Sequence, residues 1–210
     1  MAMIGRHGRL FFPANAALFA LVLGSSAWAA GGSALVEDCS ACHGKDGAST
    51  ESEVPIIGGY SAKYLADSLT NYQKKARPCP QTKYLAGPKK GQPTDMCTVA
   101  GKLAAADVKT IADYLSSKPF VRAKQTADPV KAARGKQIQD TDCKKCHEDG
   151  GSSKDDDAGI LAGQWMPALR HTFEEFKSGQ RPMPKKMKPK IDKLGKDDIE
   201  ALVQYFGSFK

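Results

Sequence analysis

The chain has 210 residues, and its 31 lysines and arginines against 23 acidic residues give a formal net charge of +8. That length is enough for two small domains. The basic balance does not indicate nucleic-acid binding, because no nucleic-acid motif accompanies it. It fits docking against an acidic protein better.

Residues 1–29 have the pattern of a secretory signal peptide. A basic start at Arg6 and Arg9 precedes a mostly apolar run from Leu10 to Leu23, and Ala27-Trp28-Ala29 is a cleavage site of the A-x-A kind. The apolar run is shorter than the roughly 20 residues that cross a bilayer comfortably, with an uncleaved anchor as the alternative. No later stretch is long and apolar enough, so we expect a periplasmic protein without a membrane span after cleavage.

The next feature is the pentapeptide Cys39-Ser40-Ala41-Cys42-His43, which recurs as Cys143-Lys144-Lys145-Cys146-His147. Two cysteines at this spacing, followed at once by histidine, form the attachment signature of a c-type haem. The thiols on one helical turn can reach the two vinyl groups of the porphyrin, and the histidine lies under the iron. A disulfide or half of a zinc site is the alternative, although zinc needs more partners than this chain offers. We therefore predict two covalent haem c groups, attached at Cys39, Cys42, Cys143 and Cys146, with His43 and His147 as proximal iron ligands.

The two motifs belong to an internal duplication. The shift of 104 residues that superposes them also pairs Arg77-Pro78 with Arg181-Pro182. We predict two domains, at 30–121 and 131–210, joined by a linker at 122–130 that overlaps the first helix of the second domain.

Each half is expected to be helical. Apolar residues recur at helical spacing and no strand alternation is convincing, so the predicted fold class is all-α. Ser33, Ser61 and Asp128-Pro129 are the expected helix starts. The predicted helices run into Cys42 and Cys146 and cover roughly 62–76, 104–116, 165–178 and 196–208.

Methionines are the expected distal ligands. Of the four histidines, one lies in the signal segment and two in the motifs, which leaves only His171 for two irons. Two bis-His haems are therefore impossible within one chain. Met96 and Met187 hold equivalent positions before the closing helices, and a thioether ligand raises the reduction potential. Met183 is the competitor for the second iron, whereas Met166 fits a core filler.

The other ring nitrogen of each proximal histidine needs a hydrogen-bond acceptor. In the first half the carbonyl of Pro55 is the expected acceptor for His43. The second half has Gly159 at the matching place, where the backbone is less constrained.

An insertion in the first half is flanked by Cys79 and Cys97. In an oxidising compartment such a pair is expected to form a disulfide, which here would brace the loop that carries Met96. The alternative is that one thiolate binds iron or handles sulfur. In the second half, lysines surround Met187, either as a solvated face or as a docking patch for an acidic partner, with Lys185, Lys186 and Lys188 as its candidates.

These residues resemble a dihaem class I cytochrome c over the whole mature chain. Two groups compete: dihaem carriers of the cytochrome c-four type, and the haem subunit of flavocytochrome c sulfide dehydrogenase. The second half is similar to the latter in the runs at 160–165, 181–183 and 185–187, whereas the insertion in the first half departs from it. The resemblance implies two haem domains packed face to face about a pseudo-two-fold axis, with electrons passing between propionate edges.

We therefore expect a non-catalytic electron-transfer protein. Its most specific interpretation is the cytochrome subunit of a flavocytochrome c sulfide dehydrogenase, which accepts electrons from a flavin subunit and passes them to a downstream cytochrome or oxidase. The alternative is a free-standing dihaem shuttle to a terminal oxidase, or the partner of a thiosulfate-oxidising cytochrome. A dihaem peroxidase-like enzyme is less expected, because it would need an open or displaceable iron position.

Overall fold

The structure is a computed structural model that describes residues 1–2 and 35–210. Residues 3–34, which hold nearly all of the predicted signal peptide and the predicted cap at Ser33, lie outside the described part. Among the described residues, no helix is long and apolar enough to cross a bilayer.

The described chain is mainly helical, as the sequence predicts. The first half contains α1 (Glu37–His43), α2 (Ala62–Gln73), α3 (Met96–Ala100) and α4 (Ala105–Ser116). The second half contains α5 (Pro129–Ile138), α6 (Met166–Lys177), α7 (Lys188–Asp192) and α8 (Lys196–Gly207). A single π turn, Gln139–Cys143, follows α5 and leads into the second cysteine motif.

Two predicted helix starts are confirmed by their hydrogen bonds. The Ser61 side chain accepts a hydrogen bond from the backbone N–H of Tyr64 at the start of α2. Asp128 accepts from two backbone N–H groups of α5, and Pro129 occupies its first turn. Helix α2 ends earlier than the predicted 76, since Lys75 adopts a left-handed φ of 53°.

Each half has its own apolar core between its helices. In the first half, Leu65 on α2 packs with Ile111 and Leu115 on α4, and this cluster also takes in Ile160 from the second half. The second core joins α6 and α8. Helix α5 crosses α8 so closely that a Cβ at Gly135 would lie 2.0 Å from the carbonyl oxygen of Ala201.

The insertion forms a small β-hairpin, an element that the sequence did not predict. Strands β1 (Thr82–Lys83) and β2 (Pro93–Thr94) pair antiparallel. The hairpin tip folds back onto α1, where the N–H groups of Leu85 and Ala86 donate to the carbonyl oxygen of Ala41 at 3.2 and 2.9 Å. Strands of two residues are too short for an alternating pattern to appear in the sequence.

The predicted linker lies against the second half along its length. The N–H of Ala123 donates to the carbonyl of Gly163 at 2.8 Å, and the N–H of Asp128 donates to the side chain of Gln204 at 2.8 Å. The amide side chain of Gln125 bonds the backbone of Gln164 and Met166. This connecting segment is therefore held in place by the second domain.

Buried hydrogen bonds join the two halves around Gln164. Its side-chain N–H groups donate to the carbonyl of Ile56 at 2.9 Å and to the hydroxyl of Tyr60 at 2.8 Å, and its side-chain oxygen accepts from the N–H of Ile56 at 2.9 Å. Tyr60 in turn donates to the carbonyl of Ile160 at 3.2 Å. These pairs follow the duplication, because Tyr60 matches Gln164 and Ile56 matches Ile160.

Candidate haem-binding sites

The first site is built around His43 at the end of α1. The residue is only 8% exposed, and its Nδ1 lies 2.8 Å from the carbonyl oxygen of Pro55, as the sequence predicts. Burial lowers the pKa of His43, so the ring is neutral at pH 7. With Nδ1–H donating to Pro55, the lone pair of Nε2 is available to an iron.

A turn at Gly47 holds the segment after Pro55 in place. The carbonyl of Gly47 accepts from the N–H groups of Ile57 and Gly58, directly after the Pro55-Ile56 step. Gly47 has a φ of 77°, and a Cβ there would lie 2.5 Å from the nitrogen of Gly58. Only glycine satisfies both conditions.

His147 has a looser setting. Burial lowers the pKa of its ring, as for His43, but within the described residues neither ring nitrogen has a hydrogen-bond partner. The Gly159 carbonyl, which matches that of Pro55, makes no bond with this histidine. The two motif histidines are therefore fixed to different degrees.

The four motif cysteines form no disulfide and differ in exposure. Cys39 packs against the first core, and burial raises its pKa to about 11, so the sulfur is neutral. Cys42 and Cys143 are half-buried, whereas Cys146 is exposed. A neutral Cys39 sulfur against an apolar core fits the neutral thioether of a covalent haem.

Met96 begins α3, is half-buried and directly precedes Cys97. Cys79 and Cys97 are joined by a disulfide, with a Cα–Cα distance of 5.8 Å. The Asp95 carboxylate accepts from the N–H and hydroxyl of Thr98, both at 2.8 Å. Asp95, which caps the N-terminus of α3, and the disulfide at Cys97 together hold the backbone on both sides of Met96.

Met183 and Met187 both pack half-buried against the second core, so the apolar contacts do not separate them as distal ligands. Met187 has the more regular setting, since it directly precedes α7. Met166 packs against Gly207 of α8, as a core filler does.

Sequence reasoning missed a charged cluster between the halves. Arg77 and Arg181, whose side chains are only 12% and 9% exposed, lie 3.8 and 3.1 Å from the same carboxylate oxygen of Glu175. Arg181 also donates to the hydroxyl of Tyr64 at 3.0 Å, and Arg77 stacks on the Tyr72 ring. The available signal was the repeated Arg-Pro pair at the same place in both halves.

This cluster fits haem. Two buried guanidinium groups share one carboxylate, and the buried Nε of Arg77 has no partner among the described residues. A buried charge normally has a counter-ion, and each haem carries two propionates. Arg77 and Arg181 would hold those carboxylates. The buried hydroxyl of Tyr84, next to β1, also has no hydrogen-bond partner within the described part of the chain.

The predicted lysine patch is exposed at all three candidate positions. Lys188 is paired with Asp192 at 2.7 Å, whereas Lys185 and Lys186 have no ion pair within the described residues. His171, expected at the surface, is exposed, and its Nε2 lies 2.8 Å from a carboxylate oxygen of Glu53 in the first half.

Both halves match known family models. A cytochrome c model matches residues 29–118, and a model of subunit III of the cbb3-type cytochrome c oxidase matches residues 130–206. A comparison with curated proteins found no significant match. Fold and sites thus define a class I cytochrome c with two covalently bound haems.

Three solved structures are similar to this chain. Reduced recombinant cytochrome c4 from Pseudomonas stutzeri is similar at 27% identity and a TM-score of 0.70, over 87% of this chain and 98% of that one. Cytochrome c4 from Acidithiobacillus ferrooxidans, at 22% identity, has a TM-score of 0.64 over 82% and 99%. Thiosulfate dehydrogenase from Marichromatium purpuratum, at 21% identity, has a TM-score of 0.68 over 86% of this chain but 40% of its own. The chain is thus a dihaem class I cytochrome c whose fold is similar to that of the c4-type cytochromes.

Proposed function

We propose that this dihaem cytochrome carries electrons in the periplasm from a sulfur-oxidising enzyme to a downstream cytochrome or oxidase. The observation that carries the proposal is the buried link of Gln164 and Tyr60 between the two haem domains. A fixed spacing between two redox centres suits electron transfer through the molecule. Bound haem supplies the one-electron iron couple, and the protein supplies ligands, burial and orientation.

His43 and Met96 are the proposed axial ligands of the first iron, and His147 and Met187 those of the second. Support comes from the neutral ring of His43, from the braced loop of Met96 and from the half-buried position of Met187 before α7. Four protein ligands would leave neither iron an open position for a substrate. This ligand set therefore favours a carrier over a peroxidase-like enzyme.

The first candidate partner is the flavin subunit of a sulfide dehydrogenase. The local runs in the second half, from Ile160 to Trp165 and around Met183 and Met187, support it. The chain has no dinucleotide-binding glycine fingerprint, so the flavin would belong to another chain.

The second candidate is a thiosulfate-oxidising enzyme. It is favoured by the shared fold with the Marichromatium thiosulfate dehydrogenase, a longer chain of which this one matches 40%. A carrier of the same fold could serve such an enzyme as a separate protein.

The test uses the ferric protein with both haems attached. We expect each chain to take up two electrons when sulfide is supplied with a flavoprotein sulfide dehydrogenase, and almost none with sulfide alone. Reduction only with a thiosulfate dehydrogenase and thiosulfate would select the second candidate. Rapid repeated oxidation of sulfide by the cytochrome alone would contradict the carrier function.

A further inference from the structure

The β-hairpin covers the first haem-attachment motif. Its tip is hydrogen-bonded to Ala41, between the two cysteines, and the carbonyl oxygen of Lys83 lies 4.0 Å from the sulfur of Cys42. Lys89 binds both carboxylate oxygens of Asp38 on α1, at 2.6 and 2.7 Å. The hairpin is thus attached to α1 by backbone bonds and by an ion pair, directly over a porphyrin attachment point.

The second motif has no such cover. The duplication lacks the insertion here, because Pro184 is followed almost at once by Met187. Cys146, which matches the covered Cys42, is exposed, as are Lys144 and Lys145 between the cysteines. A porphyrin edge attached at this motif would therefore be more open to a partner than one attached at the first motif.

The exposed motif is also the basic one. Asp142, next to Cys143, is shared by Lys190 and Lys193 at 3.1 and 2.5 Å, so the lysine-rich segment lies beside the motif and keeps an excess of positive charge. We name the exposed lysines of this region the motif-two surface. It consists of Lys144, Lys145, Lys185, Lys186, Lys190 and Lys193.

The acids near the second motif offset only part of that charge. Asp140 is already paired with Lys136, and Asp142 serves two lysines. Asp156, which accepts a hydrogen bond from the N–H of Glu148, and the exposed Glu148 and Asp149 lie on the C-terminal side of the motif in sequence. At the first motif, by contrast, the spacer is Ser40-Ala41, and α1 begins with two acids.

We propose that the chain docks its redox partner on the motif-two surface, and that the hairpin excludes the first motif from this role. The partner is a protein with clustered carboxylates around its own redox centre, since such a surface complements exposed lysines and is steered toward them. This inference rests on the proposed electron-transfer function and adds where transfer between proteins occurs.

The test measures binding by the protein with both haems attached. Oxidised flavodoxin, an acidic flavoprotein, is the probe, and its dissociation constant is measured by calorimetry at low and high salt. One variant combines Lys185→Glu and Lys186→Glu, and a second combines Lys144→Glu and Lys145→Glu. The matched control, with the same charge change, combines Lys83→Glu and Lys90→Glu on the hairpin.

We expect each motif-two pair to weaken binding by roughly tenfold or more at low salt, with the difference shrinking as salt screens the charges. The hairpin pair should change it by less than about twofold. Carbodiimide cross-linking should join flavodoxin carboxylates to peptides containing lysines of the motif-two surface. The Lys185–Lys186 pair keeps the test valid if changes inside the motif reduce haem attachment.

Equal weakening by the hairpin pair, or cross-links mainly to hairpin lysines, would overturn the proposed surface. Wild-type binding that is independent of salt would overturn it as well. None of these results bears on the carrier function. That function is contradicted separately if the protein does not take up two electrons from small one-electron reductants.

Discussion

Gln164 offers a direct test of how the two haem domains are joined. The residue is 3% exposed, and its side-chain amide makes four hydrogen bonds, with both backbone groups of Ile56, with Tyr60 and with the N–H of Trp165. Gln164→Leu keeps a similar volume and removes all four. The substitution therefore isolates the polar link from the packing.

The loss of stability follows from what remains buried. The N–H and C=O of Ile56 would lose their partners inside the interface, and each unsatisfied buried group costs about 1–3 kcal/mol. We expect the free energy of unfolding to fall by about 2–4 kcal/mol, allowing for some relaxation. An exposed position in α5 gives the control, because Gln137→Leu removes no side-chain hydrogen bond of the described structure.

The Gln164→Leu substitution should also change the reduction potential of the first haem. Ile56 follows Pro55, whose carbonyl accepts the hydrogen bond of His43 at 2.8 Å. With His43 as the proposed ligand, that bond would make the imidazole a stronger donor to iron and would favour the ferric state. Loosening the backbone should therefore raise the reduction potential of the first haem and leave that of the second nearly unchanged.

Guanidinium unfolding of the protein with haems attached, followed by circular dichroism, measures the first effect, and a spectroelectrochemical titration measures the second. A stability loss below about 1 kcal/mol would show that water replaces these bonds and that they do not hold the domains together. A clear stability loss with both potentials unchanged would refute the link from Gln164 to His43.

Three further outcomes are expected. Replacing both Cys79 and Cys97 by alanine should lower stability by about 3 kcal/mol, as the chain-entropy model gives for such a loop, and thermal unfolding would measure it; no change would contradict the bracing role. Met187→Ala should abolish the weak long-wavelength band of the second ferric haem while Met183→Ala keeps it, and the opposite pattern would assign the iron to Met183. Arg170, which is hydrogen-bonded to Glu200, lowers the pKa of that carboxyl to about 2, so the ion pair contributes stability above the usual pKa of 4.5, and this stability is lost as the pH falls toward 2. Glu200→Gln should therefore make the stability less dependent on pH between 4.5 and 2, as acid denaturation would measure; an unchanged pH profile would count against this role of Glu200.

Local patterns in the sequence determined the number of haems and most of the helices, and they predict where the haems attach. Cysteine spacing, apolar periodicity and caps such as Ser61 and Asp128 act within one or two helical turns, so they can be interpreted without knowing the fold. The bond from His43 to Pro55 was also predictable, because only a short loop separates the two residues.

The tertiary structure alone decided how the two halves meet and which motif remains open. Gln164 binds Ile56 across the interface, Arg77 and Arg181 converge on one carboxylate, and the hairpin lies over Cys42. Each of these contacts joins residues far apart in the chain, and neither periodicity nor spacing specifies which distant residues will meet. Two similar halves thus acquire different environments, because side chains that differ between the copies pack against each other at a shared interface.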